Sequence, residues 1–117
     1  MANWRTSMYA QLVYMIGMGL PFLLAPNFML PMLGLDPTHE IWIRILGLLV
    51  LAVSVYYASA ISGENIAFAR TSVRGRLVFC VALTGLALVY NQYIFILFAV
   101  LEAGLAVWTH RTLPAPA

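Results

Sequence analysis

A chain of 117 residues that is 63% hydrophobic and only 9% charged, with a mean hydropathy of +0.92, cannot cover a water-facing surface, because a soluble domain carries roughly 25% charged residues. That excludes a free-standing soluble enzyme or binding module and points to an integral membrane protein. The six basic residues, all arginine, outnumber four acids for a formal net charge of +2, and arginines flanking membrane spans account for the pI near 9.0 without nucleic acid as a partner.

Four stretches are long and apolar enough to cross about 30 Å of hydrocarbon: residues 9–25, 40–61, 73–90 and 92–109. Arg5 followed by the run Met8–Leu24 has the outline of a secretory signal. No small-x-small cleavage site follows it, so it is expected to remain as the first span. Pro21 is expected to kink or stop that helix. Met8, Gln11, Met15, Met18 and Phe22 fall on one side of it, an adaptable packing face.

Residues 26–37 carry prolines at 26, 31 and 37 and no charge before Asp36. That is too apolar for a solvated loop, so the segment is expected at the outer interface, as a lid over the helices. Asp36 is placed to N-cap the second span, with Pro37 at its first position and Glu40 in its first turns. Gly63 is placed to end it. Asp36, His39 and Glu40, at i, i+3 and i+4, could grip a metal on one helical turn, but capping already accounts for two of them and no metal is assigned. Ser54, Ala58 and Ser62 form a row of small residues suited to close helix contact. The lone Cys80 excludes an intramolecular disulfide and reads as a small core residue. Only Asn91 and Gln92 separate the third and fourth spans, which makes these an antiparallel helical hairpin. The tail 113–117, LPAPA, is expected to be disordered.

With four spans, both termini and the 62–72 connection share one side. That side holds Arg5, Arg70, Arg74, Arg76 and Arg111; the other holds Arg44 with Asp36, His39 and Glu40. The positive-inside rule then places the termini in the cytoplasm. Arg70, Arg74 and Arg76 are expected among anionic lipid headgroups, with Trp4, Trp42 and Trp108 as anchors at the span ends. The fold class is therefore all-α, an integral membrane four-helix up-down bundle forming a single domain.

Within the spans one residue stands out. Glu102 interrupts "FILFAVLEAGLAVW" near mid-membrane, where an ionised side chain costs roughly 2.5–3.5 kcal/mol. Its helical stripe is Asn91, Phe95, Phe98, Glu102, Ala106 and Thr109, with Ala99 beside it, and these small and polar neighbours point the carboxyl into the bundle. There it is either the neutral acid, hydrogen-bonded to a residue such as Thr84 or Tyr57, or it pairs with a cation. Arg44 is the basic residue expected deepest in a span, and Glu40, four residues earlier in the favourable order, competes for it. No histidine lies in a span, so a b-type haem or bacteriochlorophyll has no ligand and no cofactor is assigned. Hydrolytic and nucleotide-binding motifs are missing.

The segments "LLAPNFMLPMLGLDP", "IWIRILGLLVLAVSVYYASA", "FARTSVRGRLVF" and "LEAGLAVWTHRTL" together resemble small bacterial four-helix membrane proteins of the DoxX-like kind. The resemblance covers most of the chain through diffuse motifs, and Glu102, Gly104 and Trp108 fit the last-helix pattern common in that group. It implies a bacterial inner-membrane protein, and some members are accessory subunits of membrane redox complexes. Small multidrug transporters have similar form but place their glutamate in the first helix, where this chain has Gln11. Four-helix rotary proteolipids place it in the last helix but repeat GxGxG ridges, of which only Gly17-x-Gly19 is present.

Three functions stay open. The first is a non-enzymatic accessory subunit, or a binder of an apolar, lipid-like ligand between helices, with membrane lipids, other subunits or a second copy as partners. The second is a proton-coupled small-molecule transporter in which Glu102 alternates between proton and substrate. The third is an intramembrane enzyme acting on an isoprenoid or quinone-like head.

Overall fold

The computed structural model describes residues 4–114. In that range the chain is helical throughout: α1 (Trp4–Leu24), α2 (Pro26–Met32), α3 (Trp42–Ser62), α4 (Ile66–Val89) and α5 (Ile94–Thr112). The four long helices hold 21, 21, 24 and 19 residues, hence roughly 28–36 Å each at 1.5 Å per residue. All four are apolar enough to span a membrane. Large apolar side chains stand uncovered along every one of them, with Val13 70%, Val55 66%, Val81 75% and Val100 64% exposed. A water-soluble monomer does not display apolar surface on that scale, so this is a multi-pass membrane protein.

The helix boundaries revise three expectations. Asp36 does not cap the second span, because residues 35–40 are not helical and α3 begins at Trp42. The backbone N–H of Thr38 is instead taken by Asn27 Oδ1 of α2 at 2.9 Å, and that of Glu40 by the Thr38 hydroxyl at 3.2 Å. Local side-chain bonds of this kind compete with helix formation. The first carbonyl of the new helix to accept is that of Ile41, from Arg44 and Ile45. The third span starts at Ile66 rather than near 73, so the 62–72 connection shrinks to three residues. Of the kink or stop expected at Pro21, the stop does not occur, since α1 continues to Leu24.

Three left-handed residues close three helices. Gly34 (φ 76°), Glu64 (φ 53°) and Asn91 (φ 56°) follow α2, α3 and α4. In each case the next N–H reaches back five residues, Leu35 to Leu30, Asn65 to Ala60 and Gln92 to Ala87, at 2.8–2.9 Å, the Schellman arrangement. At the end of α3 the left-handed position is thus Glu64, not Gly63. Asn65 then turns the chain into α4: its Oδ1 accepts from Phe68 N at 3.0 Å. Asn65→Ala is expected to lower stability in detergent by about 1 kcal/mol, read from thermal melting, since an N-cap side chain contributes about that much.

Two compact units can be described, each by itself. In the first, residues 12–59, α1 and α3 meet at two glycines. A Cβ on Gly47 would lie 2.6 Å from Leu23 N and 2.7 Å from Gly19 O, so only glycine permits this backbone approach. The buried face of α3 is Ile43, Gly47, Ser54 and Tyr57; Ala58 and Ser62 are exposed, so the expected small-residue row is not the contact face. Helix α2 buries Pro26 and Leu30 and leaves Phe28 and Met32 uncovered.

The second unit comprises residues 4–11 and 60–114. Here α4 and α5 form the expected antiparallel hairpin. Their buried stripes are Ala69, Val73, Arg76, Cys80 and Ala87 on α4, and Ala99, Glu102, Ala106 and Thr109 on α5. Alternating steps of three and four make each stripe a seam along which helices pack. The first two turns of α1 lie along this hairpin, burying Trp4, Ser7, Met8 and Gln11. Of the tail, residues 115–117 fall outside the described range, whereas Leu113 N bonds Thr109 O and Pro114 O accepts from Arg70.

Candidate functional site

One seam of the second unit carries a guanidinium, the other a carboxyl, and α1 places an amide with them. Glu102 is 7% exposed, Arg76 5% and Gln11 2%. The Gln11 side-chain amide donates to both Glu102 carboxyl oxygens at 3.1 Å. Its carbonyl oxygen accepts from Arg76 Nη1 at 3.5 Å. Gln11 therefore bridges the guanidinium and the carboxyl, and the Arg76 charge also acts on the Glu102 carboxyl through space. The guanidinium is folded back one turn along α4: Nη2 donates to Ser72 Oγ at 3.4 Å and to Met8 Sδ at 3.6 Å, and Nε to Ser72 O at 3.4 Å.

Toward the chain termini a second rung joins α1 to α5. Ser7 Oγ and Thr109 Oγ1 lie 2.8 Å apart and both are fully buried. Each also bonds a carbonyl of its own helix, that of Trp4 and that of Leu105 respectively. Among the described residues no buried side-chain nitrogen or oxygen lacks a hydrogen-bond partner. Complete satisfaction is what a low-dielectric interior demands of a polar network.

Arg76 is a correction. Expected among lipid headgroups, it sits ten residues after Ile66, about 15 Å along the helix axis, and on the buried seam. Arg44 is a second. It makes no ion pair with Glu40, and donates from Nη1 to the Leu23 carbonyl at 2.7 Å and to that of Leu24 at 3.4 Å. These carbonyls belong to the last turn of α1, which has no helical donors left for them and carries partial negative charge. With α3 starting at Trp42, the four-residue helical spacing from Glu40 never forms.

Tyr57 is buried on α3, and Thr84 is half-buried on α4, two turns beyond Arg76. Arg70 and Arg74 lie on α4 off its buried stripe and line a hollow with His110. Trp4 opens α1, Trp42 opens α3 and Trp108 lies near the end of α5; Trp42 is 52% exposed, but Trp4 is covered by protein at 8%. Asp36, His39 and Glu40 occupy the non-helical segment, and among the described residues no group of three or more His, Cys, Asp or Glu could hold a metal ion. Sequence reasoning missed Gln11 as the partner of Glu102, although its place on the buried face of α1 was visible. An acid, an amide and a guanidinium can balance charge, orient helices and hydrogen-bond a polar head. No family model, curated protein or solved structure matches this chain.

Proposed function

We propose that this is a non-enzymatic protein of the bacterial cytoplasmic membrane. In this reading its four spans form an up-down bundle with both termini in the cytoplasm, and it serves as an accessory subunit or holds an apolar, lipid-like ligand by its polar head. The observation that carries the reading is the closed Arg76–Gln11–Glu102 network, in which three spans contribute to one buried polar centre. Every group in it is a hydrogen-bonding or charge-balancing group, and none is a nucleophile set beside a base. With Arg76 buried, Arg5, Arg70, Arg74 and Arg111 remain against Arg44, a bias that still favours cytoplasmic termini. Membership of the DoxX-like group is part of the proposal and accords with four spans and a last-helix acid. Extraction in mild detergent followed by native mass spectrometry tests it. The expected result is a second polypeptide, or bound lipid or quinone, retained with the chain; a clean monomer or homomer free of both overturns it.

A further inference from the structure

Where α5 ends, the α4–α5 hairpin opens into a hollow of about 450 Å³ lined by Arg70, Val73, Arg74, Leu77, His110, Leu113 and Pro114. Its lining combines two guanidiniums and an imidazole with the aliphatic side chains of Val73, Leu77 and Leu113. No carboxylate lines it. Arg70 uses Nη2 on the Pro114 carbonyl at 2.6 Å, which fixes its guanidinium at the rim with four of its five N–H donors remaining. Arg74 makes no ion pair or side-chain hydrogen bond among the described residues. It lies one turn from Arg70, and residues four apart on a helix stand side by side.

The hollow also lies at a telling depth. Arg70 bonds a carbonyl two residues past Thr112, the last residue of α5. Arg70 therefore stands at the end of the spans, where headgroups lie, Val73 and Arg74 come one turn further along α4, and Leu77 lies beyond them toward the hydrocarbon. We infer that this hollow binds one anionic phospholipid, its phosphate held by Arg70 and Arg74 with His110 beside them, and an acyl chain laid along Val73 and Leu77. Paired guanidiniums suit a phosphate diester because their planar donors match its two anionic oxygens. The inference rests on the membrane-embedded reading and is independent of what the Glu102 cluster does.

The test uses the full chain in nanodiscs of phosphatidylcholine alone, or mixed roughly three-to-one with phosphatidylglycerol, near the anionic content of natural leaflets. Native mass spectrometry after release should show one phosphatidylglycerol retained. Retention should fall roughly thirtyfold in the Arg70→Gln/Arg74→Gln double variant, from about fivefold per arginine. Arg111→Gln, which does not line the hollow, should retain lipid like the parent. Equal retention by parent and double variant, equal loss in Arg111→Gln, or displacement of the lipid by inorganic phosphate each overturns the inference. Failure of the parent to enter nanodiscs would instead sink the membrane reading, so the two failures are distinguishable.

Discussion

Arg76→Met is expected to destabilise the protein by about 2 kcal/mol, measured by reversible unfolding in mixed micelles. The size follows from two opposing comparisons. Removing one member of a buried ion pair in a soluble protein costs about 3–5 kcal/mol, because the other is stranded. Interhelical polar contacts in membranes average closer to 0.6 kcal/mol, because separated helices also find partners for their polar groups. Glu102 would keep both Gln11 bonds but lose the charge that Gln11 relays from the other side. The loss should therefore fall between those limits. Glu102→Leu should cost a similar amount, leaving the Gln11 amide without its acceptors and Arg76 without the carboxyl. The double variant Arg76→Met/Glu102→Leu should be more stable than either single variant, since two apolar side chains of similar size leave no stranded charge. Strictly additive losses would show that the residues do not act as a pair.

The face that carries Glu102 could be read from residue types alone. Ala99, Ala106 and Thr109 recur beside it at helical spacing, and these are the residues that α5 buries. Its partner could not be read so directly, for a reason that lies in the turn before α4. Counted from an assumed start near 73, Arg76 belongs to a first turn among headgroups. Asn65 moves that start seven residues back by capping Phe68 N, and the same arginine becomes a mid-helix residue. The signal was present in the spacing of Ala69, Val73, Arg76, Cys80 and Ala87, which leaves Arg70 and Arg74 off the stripe and puts Arg76 on it. Gln11 was likewise visible on the methionine face of α1, but a pairing across 91 residues leaves no local trace. Arg44 illustrates a different limit. Its acceptors are carbonyls, present in every residue, and become special only because α1 ends at Leu24 and leaves them without donors.

The second large effect is expected at Gly47, where Gly47→Ala should destabilise by about 2 kcal/mol despite improving local helix propensity. In an open helical site the same substitution stabilises by about 1 kcal/mol, since glycine is the costlier residue to order. At Gly47 the new methyl would lie 2.6 Å from Leu23 N, 2.7 Å from Gly19 O and 3.0 Å from Phe22 C. All three are backbone atoms, so no rotamer change relieves the clash and the helices themselves must separate. Overpacking of this kind costs about 1–3 kcal/mol. Separation would also draw Arg44, one turn earlier on α3, away from the Leu23 carbonyl it reaches at 2.7 Å, and that charge-assisted bond is the stronger kind. Gly17→Ala and Gly85→Ala supply the comparison, because a Cβ at either position meets nothing within 4 Å. Both should melt at or above the parent temperature while Gly47→Ala melts below it. If all three variants behaved alike, the backbone contact between α1 and α3 would not be what holds this unit together.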